Sequence, residues 1–308
     1  MIPVKDIEIG KATSVKDLIK QFGEAGGFSA KKVAEGVTIL RTMFAEDRCT
    51  KILSFPAAII STGTRGVVKD LVKQKKVDVV ITTCGTLDHD LARVFQDYYH
   101  GDFMMDDAKL RKQGINRLGN VLVPDSSYGE VMANHMNKIL TELHSKNVKE
   151  ISTKELCWAI GEYISKTSKK REESILYWAW KNKIPVFIPG PTDGSVGSQI
   201  WMFSQKTDFR LNILKDEQDL SNIVFDAKSL GALMIGGGIS KHHTIWWAQF
   251  GNGLDYAVYI TTAVEYDGSL SGAQTREAIS WGKLKEQAKH ITIEGDATVL
   301  LPLMITAL

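Results

Sequence analysis

A chain of 308 residues with 24% charged and 44% hydrophobic side chains has the size and balance of a globular protein built as one large domain or two smaller ones. Its apolar runs, such as Val121 to Val123 and Val299 to Leu303, fall far short of the ~20 residues that cross a bilayer, so no membrane role is expected. A formal charge of +2, with no basic block beyond Lys169, Lys170 and Arg171, is too little for the extended basic surface that nucleic-acid backbones demand.

In chain order, MIPVKDIEIG carries acidic residues early and has no apolar core, which argues against a signal peptide. Residues 29–44, SAKKVAEGVTILRTMF, open with a serine suited to capping and repeat Val33, Val37, Leu40 and Phe44 on one stripe, which predicts a helix. KILSF at 51–55, bounded by Pro56, predicts a strand, and STGTRG then leads into the helical VVKDLVKQ. VDVVIT at 77–82 reads as a strand buried on both faces and ends in TTCGT before the helical DHDLARVF. Ser152 and Glu155 form an S-x-x-E capping box, and ESILYWAWKNK predicts a helix that runs into the strand IPVFIP and the turn GPTDGS. The last third offers the strand LGALMI with a GGG turn, the helix KHHTIWWAQF, the strands DYAVYITT and HITIE, and a closing apolar helix from about Val299. At least six strand-like runs alternate with helices, so the expected fold is α/β, a single Rossmann-like domain over 1–308 with a mostly parallel sheet and helices on both faces. Cys49, Cys84 and Cys157 are isolated and lack CxxC spacing, which supports neither a disulfide framework nor a thiolate zinc site and fits a reducing cytoplasm.

In open parallel sheets the ligand lies beyond the carboxyl ends of the strands. The turns there read AAIISTG, TTCGTLDHD, PTDGSVGS, GGGISKHH, TTAVEYDGS and GDA, all small or polar. Such turns let backbone amides approach a pyrophosphate at a helix N-terminus, although GxGxxG is absent and tight turns alone also select glycine. The KHH triplet has no third ligand at HExxH-like spacing, so zinc is not expected. Of His242 and His243, one is expected in a site and the other in a structural role; Trp178, Trp180, Trp246 and Trp247 are expected in the core or a subunit interface. In TREAISWGK, Glu277 and Trp281 share one face if the stretch is helical, and Gly282 is placed to end it in a left-handed turn. Lys283 then leaves the helix direction, either to a dry pocket, where burial favours a neutral nucleophilic amine, or to solvent near the helix end.

The runs GGGISKHH, NGLDYAVYITTAVEYDGSLSGA and EAISWGKL, in this order and spacing, closely resemble the C-terminal half of the deoxyhypusine synthase family. Weaker likenesses in IISTG, TTCGTLDHD and IPVFIPGPTDGS extend over most of the chain. The resemblance implies an NAD-binding α/β domain, a cytoplasmic homotetramer with active sites between paired subunits, and transfer of the aminobutyl group of spermidine through a lysine to one lysine of the hypusine-bearing translation initiation factor. Position by position it implies Lys283 as the covalent carrier, His242 as the base, Glu277 as the partner of a substrate ammonium, and Trp281 along the amine's hydrocarbon chain. Asp267 and Gly268 would line the same pocket, while Ser61, Thr83, Cys84, Gly85, Asp193, Gly237, Thr262, Ala263, Asp296 and Ala297 would hold NAD, with Asp296 on a ribose. His89, Ser198 and Leu270 stand where the eukaryotic pattern carries carboxylates, so either a nearby acid such as Asp88 or Asp90 compensates in amine binding or the donor or acceptor differs. Homospermidine synthase shares the carrier chemistry with putrescine as acceptor; a non-catalytic NAD-binding relative would have no reason to keep Lys283, Glu277, Trp281 and His242 together.

Overall fold

A computed structural model describes residues 1–10 and 13–308. The chain forms two compact units, one from Met1–Phe55, Lys76–Ile81 and Leu220–Leu308, the other from Pro56–Lys75 and Thr82–Asp219.

In the first unit the strands run in the order Leu284–Glu294, Leu254–Thr261, Ser229–Ile235, Cys49–Phe55, Val79–Thr82. The first three pairs of neighbours are parallel, with Val258 opposite both Leu233 and Ile291. Such a sheet is buried on both faces, which is why Ser229–Ile235 and Leu254–Thr261 read as continuous apolar runs. Successive side chains of a strand face opposite ways. Val258 faces Gly36 of the Phe28–Ala45 helix, where a Cβ would come within 2.6 Å of Ile293. Tyr259 faces Lys241 of the Gly238–Ala248 helix, so helices cover both faces. The α/β class and the mostly parallel sheet are therefore as the alternation predicts.

Several local features differ from expectation. The Phe28–Ala45 helix is capped by Gly27 rather than Ser29, which lies inside its first turn. A Val15–Ala25 helix precedes it, held by a capping box between Ser14 and Asp17. The closing helix begins at Ala297, with the Asp296 carboxylate as its N-cap.

In the second unit the Ser152–Glu155 capping box is present, with Ser152 N–H donating to Glu155 at 2.8 Å and Glu155 N–H to the serine oxygen at 3.1 Å. The IPVFIP run yields only a two-residue strand, Val186–Phe187, because Pro185 and Pro189 bracket it and cannot donate to a ladder. An antiparallel sheet of Tyr99–His100, Val121–Pro124 and Ile115–Leu118 also stands here, outside the parallel pattern. Buried carboxylates organise the helices of this unit. Asp90 accepts from Ile175 and Leu176 N–H and from the Ser174 hydroxyl, and Asp216 accepts from Thr153 and Lys154 N–H. An anion at a helix N-terminus satisfies amides that have no partner within the helix and complements the dipole.

Candidate active site

The stretch around Lys283 is not α-helical. Thr275–Ile279 is a single 3-10 turn, and Gly282 follows with φ 66°. In that left-handed conformation Gly282 and Lys283 donate their N–H groups back to Ile279 and Ala278 carbonyls, at 2.9 and 3.0 Å. The Lys283 carbonyl accepts from Leu254 N–H at 3.0 Å as the Leu284–Glu294 strand begins. The lysine is thus fixed on both sides by backbone bonds, and its side chain turns inward to 8% exposure. The side chain thus enters a pocket rather than solvent. Nζ lies 5.1 Å from the ring centre of Trp281 and 5.9 Å from that of Trp246.

These groups line a cavity of about 280 Å³ with His242, Glu277, Lys241 and Leu270. Trp246, expected in the core or a subunit interface, is 43% exposed and packs against His242 with ring centres 5.8 Å apart. Burial, reinforced by the Lys283 charge, pushes the His242 imidazole below its ordinary value, so at neutral pH the ring can accept a proton. Burial also pushes the Lys241 ammonium down to about 8, partly offset by the Glu277 carboxylate. A larger cavity of about 740 Å³ is lined by Lys20, Lys31, Arg41 and Lys289 among others. It touches none of the motif residues, and the smaller one has the chemistry.

The carboxyl edge of the first unit's sheet brings Gly237, Thr262, Ala263, Asp296 and Ala297 into register, since Ile235 pairs with Ile260 and Thr261 with Glu294. Gly236 and Gly238 have positive φ, as a strand-to-helix turn requires, and Gly237 is needed for contact: a Cβ there would sit 2.0 Å from the Ser271 oxygen. Asp296 is exposed but already engaged, accepting from the N–H and hydroxyl of Thr298 at 2.8 and 2.9 Å. Asp267 is exposed, its carboxyl lowered by hydrogen bonds from Ser269, and Gly268 follows with φ 72°.

The second unit carries the remaining positions. The Thr83 hydroxyl accepts from Ala57 N–H at 3.0 Å, and Gly85 sits so close to Ala57 that a Cβ would approach it to 2.9 Å. Ser61 is buried and donates to the Ala58 carbonyl. Cys84 opens the Cys84–Arg93 helix, its thiol pushed up to about 12 by burial and nearby carboxylates. Asp193 and Ser198 are exposed. Compensation by Asp88 or Asp90 is not what the structure shows. Both are fully buried, Asp88 accepting from the Tyr128 hydroxyl and the Ser195 and Val196 amides, Asp90 holding the 175–182 helix. With three donors each and no exposed surface, neither carboxylate is placed to receive a substrate ammonium.

His89 is equally enclosed, its Nδ1 3.0 Å from the Tyr98 hydroxyl, and burial followed by the Arg93 charge pushes it down to about 4 from 6.5. The unfolded chain therefore takes up a proton that the folded chain refuses. The associated stability is complete above pH 6.5 and is lost as pH falls toward 4, amounting to about 2 kcal/mol between pH 7 and pH 5. Urea titrations of His89→Gln are expected to show a pH 7-to-5 loss smaller than wild type by that amount; equal losses would refute it.

The family profile described as "Deoxyhypusine synthase" matches residues 17–308. A protein from Picrophilus torridus named "Probable deoxyhypusine synthase" is 60% identical over 304 residues, covering 98% of this chain and 96% of that one. One of the same name from Thermoplasma acidophilum is 55% identical over the same shares of both chains. The solved "putative deoxyhypusine synthase from Entamoeba histolytica" matches in fold with a TM-score of 0.69 at 17% identity, covering 99% and 96% of the two chains. With the Lys283 pocket built from the motifs that suggested it and near full-length matches on these relatives, the chain belongs to the deoxyhypusine synthase family of transferases.

Proposed function

We propose that this protein is an NAD-dependent deoxyhypusine synthase, which moves the aminobutyl group of spermidine through Lys283 to one lysine of the hypusine-bearing translation initiation factor. The observation that carries the reading is a lysine at 8% exposure, fastened by backbone on both sides and flanked by two indoles in a cavity with His242 and Glu277.

Glu277 receives the terminal ammonium of spermidine, and Trp281 and Trp246 cover the hydrocarbon chain and limit water. His242 takes the proton from the central nitrogen as a C–H hydride is lost, leaving a C=N bond. When bound, NAD would supply the acceptor for that hydride and, at the end, its donor. The Lys283 Nζ adds to the imine carbon, and the bond to the diaminopropane nitrogen breaks. That nitrogen leaves protonated as 1,3-diaminopropane and leaves the aminobutyl group as an imine on Lys283. The acceptor lysine repeats the exchange, freeing Lys283, and reduction of the new imine gives the stable secondary amine.

The edge residues fit a dinucleotide: two helices begin there, at Gly238 and Ala297, and Thr262 and Asp296 are exposed beside them. Asp296→Ala is expected to weaken NAD binding ~5- to 150-fold through the lost ribose acceptor. It also removes the cap of the Ala297–Thr306 helix, at about 0.5–2 kcal/mol of stability. Asp296→Ser keeps a cap and lacks the carboxylate, so calorimetry should find weak NAD binding in a variant of near-normal stability. Normal affinity in both variants would reduce Asp296 to a cap.

On the family likeness we take residues 1–308 as one catalytic domain of a cytoplasmic homotetramer. Incubation with NAD, labelled spermidine and either acceptor tests the whole reading. Label on the factor's lysine is expected; label only in homospermidine would assign the chain to small-diamine transfer, and no NADH with any polyamine would leave an NAD-binding relative.

A further inference from the structure

The second lysine of the cavity has a different setting from the first. Lys241 is 2% exposed, in the first turns of the Gly238–Ala248 helix. Its Nζ donates to the carbonyls of Leu270, at 2.9 Å, and Ala273, and it sits 3.6 Å above the centre of the Tyr259 ring. Tyr259 in turn donates its hydroxyl to the Ser271 carbonyl at 2.6 Å, and Thr261 donates to the same oxygen at 3.0 Å. Ser271 also packs directly against Gly237, and Gly272 against the Val264 carbonyl. Buried carbonyls need donors, and this irregular strip obtains three of its own from the helix and strand behind it. The strip faces the proposed site: Leu270 and Ala273 line the cavity, and Thr275 two residues on begins the Thr275–Ile279 turn that carries Glu277, with Lys283 four residues beyond its end.

We propose that Lys241 is a positioning residue, whose amino group ties the Leu270–Ala273 strip in place and so shapes the amine pocket in which Lys283 is loaded. The inference rests on the proposed function for its kinetic consequence and on geometry alone for its structural one. Lys241 does not itself carry the aminobutyl group. Both acceptors and the aromatic face that surround its nitrogen suit a donating ammonium rather than a free nucleophile.

Lys241→Met keeps the length of the side chain and removes every donor. Deuterium exchange at the Gly272 and Ala273 amides, which donate to Ser269, is expected to accelerate roughly 10-fold or more in this variant. The KM for spermidine should rise roughly 10-fold or more. Saturating spermidine should still give a borohydride-trapped adduct on Lys283. Lys241→Gln, which retains two N–H donors without charge, should fall between Met and wild type in both measurements and carries the test if the Met variant does not fold. Exchange at wild-type rates in the folded variants would overturn the proposal, as would an adduct found on Lys241 in the wild type. Absence of any adduct in the wild type would instead defeat the proposed function and leave the exchange result standing.

Discussion

Replacing Lys283 by alanine is expected to abolish aminobutyl transfer, by roughly 10³-fold or more, while NAD binding stays intact. The two halves of the reaction separate because they use different groups. On the proposed mechanism, hydride removal would need NAD and His242 as base, whereas capture of the imine carbon would need a primary amine held where Lys283 Nζ lies, 5.1 Å from the centre of the Trp281 ring. The alanine variant should therefore still form some NADH with spermidine yet hold no substrate fragment. Lys283→Arg should fail as completely, since a guanidinium stays charged and cannot serve as the nucleophile. Borohydride reduction during turnover, followed by peptide mass mapping, should find the adduct on Lys283 in the wild type and in neither variant. Full transfer by Lys283→Ala, or an adduct on Lys285, would refute the assignment. Lys285 is engaged elsewhere, 2.7 Å from Asp255.

Asp90→Ala is expected to cost about 3–5 kcal/mol of stability. The carboxylate is fully buried and accepts from the Ser174 hydroxyl and the Ile175 and Leu176 amides. It also lies 3.7 Å from Arg65, itself buried, whose Nη1 has no hydrogen-bond partner among the described residues. Removing the acid leaves Arg65 with the half-exposed Glu173, 3.1 Å from Nη2, and takes the acceptor from the first two amides of the Ile175–Asn182 helix, whose N-cap Ser174 remains. Asp90→Asn, which keeps an acceptor but not the charge, should lose less. Urea unfolding of the second unit measures both. If Asp90 served amine binding instead, spermidine affinity would fall with stability unchanged, and that outcome would sink the structural assignment.

The features legible in the sequence are those whose physics is local. The Ser152–Glu155 capping box, the left-handed Gly282 and the apolar runs of the parallel strands follow from neighbours a few residues away, and each stands where the pattern places it. The backbone around Lys283 was readable for the same reason: the 3-10 turn and Gly282 orient the lysine within one short stretch.

What only the tertiary structure decided depends on partners distant in the chain. Asp90 looks like a candidate amine ligand in TTCGTLDHD, and it becomes a helix anchor because Ser174 to Leu176, 84 to 86 residues later, bring amides to it. Trp246 reads equally as core or subunit interface, and its place in the cavity follows from which helix face the sheet covers. Lys241 carries no signal beyond one more lysine before two histidines. Its acceptors lie 29 and 32 residues away, so its role exists only once the Leu254–Thr261 strand sets Tyr259 and the strip beyond it against the helix. Periodicity and capping express backbone geometry, which every window of sequence states for itself; the fate of a buried charge depends on which distant groups desolvate and satisfy it, and folding alone brings those together.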